Sequence, residues 1–241
     1  MLYIIGLGLN HEGISHLGLK IAKKCKKIYL ENYTVELPYS IKAIEEVIGK
    51  KVKPVDRDFV ESLEVIDQAI RSDIALLVYG SPLTATTHIT LLEEAKKSKV
   101  KVKVIYSASI LDAVAETGLQ LYKFGKTASM PKWQPEKGFE PDSFMEIIQQ
   151  NLSMKAHSLI LVDIGLEFQD ALKQLESSCE KHRVPMTDVI LCQALTTARQ
   201  RIYYSDLEGL KKLKEMTPPY CFVIPSKMHF VEKEFLEGFK I

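Results

Sequence analysis

Five short apolar runs, "LYIIGL", "KIYLENY", "VKPV", "DIALLVY" and "KVKVIY", punctuate the first half of the chain. Between them lie "SHLGLKIAKKC", "YSIKAIEEVIG", "DFVESLEVIDQAIRS" and "HITLLEEAKKS", each with helical spacing of its apolar residues, and "SASILDAVAETG" closes the series as another helix. Runs this short and this apolar are buried on both faces, and only helices on both sides of one sheet can bury them. The alternation therefore predicts βαβ units and a largely parallel, doubly wound sheet.

The pattern breaks between Leu119 and Pro141, where "KWQPEKGFEP" is too rich in proline and glycine for a long helix and reads as a connector. Beyond it, "DSFMEIIQQNLSM", "EFQDALKQLESSCEKH" and "DLEGLKKLKEM" read as helices, and "HSLILVDI", "DVILCQAL" and "YCFVIP" as strands. The expected class is α/β with two lobes. A mainly parallel N-terminal lobe covers 1–125, and a smaller mixed α/β lobe covers 126–241.

With 241 residues the chain can bury two modest cores. Its 32 basic and 31 acidic residues leave a net charge of +1, so no global field points to nucleic acid or to a membrane surface. No run approaches the ~18 apolar residues of a spanning helix, and the opening "MLYIIGLGLN" reads as a buried first strand and not a signal peptide. "KIAKKCKK" reads as a solvated helix face, with a partner-binding patch as the alternative. The four cysteines (25, 179, 192, 221) match no metal-ligand spacing. Each sits in an apolar or helical context, which suggests reduced thiols in a cytoplasmic protein with no metal site.

Chemistry in an open α/β sheet gathers beyond the carboxyl ends of its strands. Four segments fall there. "GLGLN" (6–10) lets backbone approach a ligand closely, but only G-x-G is present. Gly13 falls one place late for the dinucleotide fingerprint, and no acidic residue clearly ends the second strand at the dinucleotide spacing, Glu31 being only a distant candidate, so the sequence does not support a standard NAD site. "YGSPLTATTH" (79–88) reads either as a capped strand-to-helix turn, with Thr86, Thr87 and His88 starting the helix, or as a ligand cradle. "YSASILDAV" (106–114) is a second hydroxyl-rich exit, in which Ser107 and Ser109 could be caps. "FVIPSKMHFVE" places Lys227 and His229 just after a strand. The first three exits together make an uncharged polar crevice without a P-loop lysine, which suits an adenosine-type cofactor better than a phosphate-rich one. No nucleophile elbow, H-E-x-x-H or supported carboxylate pair is present. Such a chain can still catalyse transfer from an activated donor by positioning alone. His88 and His229 are the histidines in suggestive places, and no general base is legible.

"YIIGLGL", "LENYT", "GSPLTATTH", "SASILDAV", "TGLQLYKFG" and "PDSFMEII" follow in an order that resembles the archaeal diphthine synthase family. That family belongs to the tetrapyrrole-methylase-like group of S-adenosylmethionine-dependent methyltransferases. The likeness is dense over 1–150 and resumes at "LVDI" and "IPSKMHFVE". It implies a homodimer of two-lobed, tetrapyrrole-methylase-like chains, the second lobe closing a cofactor cleft. The implied reaction methylates the amino group of a 3-amino-3-carboxypropyl histidine on translation elongation factor 2, in diphthamide biosynthesis, and releases S-adenosylhomocysteine. Position by position, the implied cofactor contacts are Leu9, Ser81, Thr84, Ser109, Ile110, Val162, Ala194 and Tyr220.

Three departures stand out. The family has aspartate at the place of Ser81, an "ARAGS"-like segment where this chain has "CQALTTAR", and "VPGK" where it has "IPSK" with Ser226. They leave two other readings to weigh. One is a same-fold methyltransferase acting on another acceptor such as a tetrapyrrole; the other is a divergent, non-catalytic paralogue.

Overall fold

The computed structural model describes residues 1–86 and 88–241, and the chain divides into two compact units, Met1–Leu111 and Asp112–Ile241. In the first unit the elements run β1 (Leu2–Gly6), α1 (His16–Lys24), β2 (Lys27–Glu31), α2 (Ile41–Ile48), β3 (Lys53–Val55), α3 (Arg57–Glu61), α4 (Glu64–Arg71), β4 (Ile74–Val78), α5 (Ile89–Lys97) and β5 (Val102–Ile105). The strands form one parallel sheet in the order β3-β2-β4-β1-β5. Every residue of β4 is buried, as its central place requires. Side chains of alternate strand residues feed two cores. Ile5, Leu30 and Leu77 pack with Ala22, Ile44 and Ile48 of α1 and α2 on one face. Leu2, Ile4 and Leu76 pack with Val60, Ile66 and Leu91 of α3, α4 and α5 on the other. This is the doubly wound arrangement that the alternating pattern predicts.

"DFVESLEVIDQAIRS" is two helices and not one. Leu63, at φ 67°, breaks it. A continuous helix that buries Val60 would turn Glu64 and Asp67 inward; the break resets the phase so that Val65, Ile66 and Ala69 face the core. Similarly, "SASILDAVAETG" is a four-residue α6 (Ile110–Ala113) followed by a 3-10 turn, Val114–Thr117.

The second unit contains β6 (Ala128–Met130), α7 (Phe144–Ser153), β7 (Ser158–Val162), α8 (Phe168–His182), β8 (Val189–Gln193), β9 (Arg201–Ser205), α9 (Leu207–Lys211), β10 (Tyr220–Ile224) and α10 (Phe230–Leu236). Its sheet runs β6-β7-β10-β8-β9, with β6 parallel to β7 and the remaining pairs antiparallel. Phe144, Ile148, Phe168, Leu172 and Phe222 centre its core. Among the described residues it has as many strands as the first sheet, so it is not the smaller unit in that respect. The two additional strands, β6 and β9, are the edges. β6 has three residues, too few to show a period, and β9 buries only Tyr204 fully. Cys192 and Cys221 are register partners across β8 and β10, and all four cysteines are free and buried. Among the described residues no helix is long and apolar enough to cross a membrane.

Candidate functional site

At the carboxyl edge of the first sheet, the exits of β1, β4 and β5 form one packed assembly. The parallel ladder continues past β1 with Leu7 N donating to Val78 O at 2.9 Å. Gly8 and Gly80 then exchange both main-chain bonds, at 3.1 and 2.9 Å. Both glycines are left-handed, at φ 71° and 74°. A Cβ on Gly8 would lie 3.0 Å from Gly13 O and 3.1 Å from Ser107 Oγ, so the bridge admits no larger residue there. Ser107 Oγ donates to Gly13 O at 2.8 Å, which stitches the third exit to the first.

Five of the expected contacts fall on this edge. Leu9 and Ser109 are buried and flank Gly80, where a Cβ would meet Leu9 Cδ2 at 3.9 Å and Ser109 Cα at 4.0 Å. Ser109 Oγ accepts from Leu111 N at 3.2 Å and so caps α6, whereas Ser107 is not a cap but the stitch to Gly13. Ser81, Thr84 and Ile110 are half-buried, and Ser81 O accepts from Thr84 N at 3.3 Å. Leu83 (φ 64°) and Ala85 (φ 52°) hold left-handed backbone in the same turn, a strain of about 1 kcal/mol each. Thr86 Oγ1 accepts from His88 N at 3.5 Å, while Thr87 lies outside the described residues. The three exits carry no charged side chain from 6 to 10, 79 to 86 or 106 to 110. That donor set of backbone groups and hydroxyls fits an adenosine sulfonium and gives nothing to neutralise a polyphosphate.

His88 does not cap α5 with its ring. Its Nε2 lies 2.9 Å from Oε2 of Glu31, the last residue of β2, off the line of an aligned hydrogen bond. Oε1 of Glu31 takes the Thr34 hydroxyl. Burial and the nearby Glu31 charge push the Tyr33 phenol up to about 12. In the sequence Glu31 shows only as an acidic residue near the end of a buried strand, which gives no sign of its partner.

The other three expected contacts share one end of the second sheet. Val162 ends β7, Tyr220 starts β10, and Ala194 follows β8 with its N–H donating to Pro219 O at 2.9 Å. The Tyr220 ring is committed to the core: its hydroxyl donates to Leu166 O at 2.7 Å and it packs edge-on to Phe168 and Phe222. Ala194 (φ 43°) and Thr196 (φ 69°) are left-handed, but Leu195, where the resemblance expects glycine, is not. Leu195 is instead a buried side chain, so losing that glycine strains nothing. Ser226 likewise has no left-handed backbone, and its N–H donates to His157 Nδ1 at 2.9 Å.

That histidine leads to a second polar cluster, which sequence reasoning missed. Glu232, fully buried, receives Gln120 N at 3.0 Å, His229 N at 2.6 Å, His157 Nε2 at 3.3 Å and the Lys123 ammonium. Lys123 also donates to Lys227 O at 2.9 Å. Burial works to raise the Glu232 carboxyl, but the donors from Gln120, Lys123, His229 and His157 outweigh it and hold it at about 2. The "TGLQLYKFG" and "IPSKMHFVE" segments are thus fastened to each other, and His229 serves as the N-cap residue of α10.

Comparison with known proteins agrees with this architecture. Residues 1–211 match the tetrapyrrole (corrin/porphyrin) methylase family. The diphthine synthase of Methanocaldococcus jannaschii is 36% identical over 253 residues, covering 98% of each chain. The diphthine methyl ester synthase of Schizosaccharomyces pombe is 43% identical over 172 residues, 70% of this chain and 60% of that protein. A solved diphthine synthase structure matches with a TM-score of 0.89 at 31% identity, spanning 99% of this chain and 95% of the other. The chain belongs to the tetrapyrrole (corrin/porphyrin) methylase family, on its diphthine synthase branch, and is a methyltransferase of diphthamide biosynthesis.

Proposed function

We propose that the chain uses S-adenosylmethionine to methylate the amino group of the 3-amino-3-carboxypropyl histidine of translation elongation factor 2, acting in the cytoplasm as a homodimer. The observation that carries this reading is the Gly8–Gly80 bridge, which draws Leu9 and Ser109 together around an uncharged edge. S-adenosylmethionine supplies a methyl group already activated on a sulfonium, so the protein's task is to orient and to exclude water. Leu9, Ser81, Thr84, Ser109 and Ile110 are the proposed contacts in the first unit, and Val162, Ala194 and Tyr220 those in the second. The backbone and hydroxyls of the first group orient the ligand, and the buried Leu9 keeps that edge dry.

Incubating the protein with labelled S-adenosylmethionine and elongation factor 2 bearing the modified histidine tests the reading. Methyl incorporation is the expected result; none, with methylation of a precorrin instead, would overturn the acceptor assignment. The S. pombe relative's name favours a second product, a methyl ester on the acceptor carboxylate. Mild alkali releases an ester methyl and leaves an N-methyl in place, so one sample decides both. In the same assay Ser81→Asp should bind S-adenosylmethionine several-fold more tightly by calorimetry. It restores an anionic acceptor, and a charged hydrogen bond exceeds a neutral one by roughly 1 kcal/mol.

A further inference from the structure

The turn that carries Ser81 and Thr84 is held at both of its ends. Its first end is Gly80, fixed by two main-chain bonds to Gly8. Its second end is His88, whose ring is 2% exposed and lies 2.9 Å from a carboxylate that is itself 3% exposed. Between these points Leu83 and Ala85 occupy left-handed backbone, which no L-residue adopts unless its surroundings impose it. We propose that Glu31 and His88 are a positioning pair that sets the conformation of this turn, and through it the affinity of the cofactor site, without touching the cofactor.

The chemistry of the pair supports this role. β2 and β4 are neighbours, with Leu30 opposite Leu77, so the carboxylate that ends β2 projects beside the exit of β4. A carboxylate withdrawn from water needs a partner, and stranding one member of such a pair is costly. Glu31 therefore pulls His88 inward and keeps it there. The second oxygen is engaged by Thr34, which fixes the carboxylate plane. The Arg57 guanidinium lies 5.3 Å above the ring of Tyr33, the residue before Thr34. The loop after β2 is thus a strut for the turn after β4. His88 is placed to transmit that support because its ring is not used to cap α5.

The inference rests on the S-adenosylmethionine reading, and one experiment separates the two. Glu31→Ala, Glu31→Gln, His88→Ala and His88→Gln are compared with the wild type by calorimetric titration with S-adenosylmethionine, by steady-state methyl transfer and by thermal unfolding. Both alanine variants should raise KM and Kd for S-adenosylmethionine at least about tenfold, with kcat within about threefold, because the contact acts on binding geometry. His88→Gln, whose amide keeps a neutral N–H donor facing Glu31, should recover affinity to within about threefold of wild type. If the alanine variants do not fold, Glu31→Gln and its double variant with His88→Gln carry the test: removing the charge should raise Kd several-fold, and adding His88→Gln should raise it no further, because the pair is already broken. A purely structural pair would lower the unfolding temperature and leave Kd of the folded protein unchanged, and that result overturns the inference while the proposed function stands. A wild type that binds no S-adenosylmethionine overturns both.

Discussion

Replacing Glu232 with alanine should cost about 3–5 kcal/mol of stability at neutral pH, the usual penalty for stranding one member of a buried ion pair. Four groups lose their common acceptor at once: the N–H groups of Gln120 and His229, the His157 ring and the Lys123 ammonium. The same carboxylate makes the second unit acid-sensitive. Its folded pKa of about 2 lies below the ordinary 4.5, so between those values the unfolded chain holds a proton that the folded chain refuses. The contribution, about 3 kcal/mol, is complete above pH 4.5 and disappears as pH falls towards 2. His157 adds to the loss from a higher starting point. Burial presses its pKa below the ordinary 6.5 against the opposing pull of Glu232, and its Nδ1 already accepts the Ser226 N–H. Below 6.5 the unfolded chain therefore takes up that proton first, and folding weakens further. Urea unfolding of wild type and Glu232→Gln from pH 7 to 3 measures both effects. The variant should be less stable at pH 7 and should lose less stability than wild type between pH 4.5 and 3; parallel profiles would sink the assignment.

Gly6→Ala should remove cofactor binding while leaving the fold largely in place. A Cβ there would lie 2.7 Å from Gly80 O, 2.8 Å from Pro82 Cδ and 3.1 Å from Ser107 Cβ. Two of those contacts are with the exit of β4 and one is with the exit of β5, so a single methyl drives both away from β1. Overpacking of this kind costs about 1–3 kcal/mol, a loss the buried sheet should withstand. Its geometric effect is larger than its energetic one, because Gly80 O is the acceptor of the Gly8 N–H and the bridge cannot survive the displacement. Calorimetry should show binding weakened by at least tens-fold in a variant whose circular dichroism matches wild type. Unchanged affinity would show that the three exits do not need their contact to form the site.

The first sheet was legible because its three inner strands, β1, β2 and β4, are largely buried and its helices are amphipathic, so the two periods separate cleanly along "DIALLVYGSPLTATTHITLLEEAKK". The edges of the second sheet, β6 and β9, give no such contrast and were not foreseen, whereas the first sheet's edges, β3 and β5, were legible from their place in the strand–helix alternation. The N-terminal half of the connector also hides structure, since β6 forms where the composition shows only a loss of helical period. At the site, the strand exits could be read because any parallel sheet gathers them at one edge. The pairing of Glu31 with His88 could not, since it joins residues 57 apart through the order of strands, which periodicity does not encode. The same holds for Lys123, His157 and Glu232, which look like ordinary surface charges in the sequence and are partners only after folding. Ser226 shows the converse: a residue that looked like a damaged glycine position is an ordinary one, with its N–H already engaged.

The four buried cysteines give the molecule an internal clock. Burial and Asp73 push the Cys25 thiol up to about 11, and burial with Glu176 and Glu180 pushes Cys179 up to about 12. Cys192 is held well above its ordinary range by its hydrogen bond to Cys221 and by burial. Since only the thiolate reacts, an alkylating reagent should find almost nothing to modify until the chain opens. Cys25 lies in the first unit and the other three in the second. The order in which peptides from the two regions acquire label therefore times their opening separately. Coincident labelling would mean that the units breathe as one cooperative body; a lead at Cys25 would mean that the first unit opens alone.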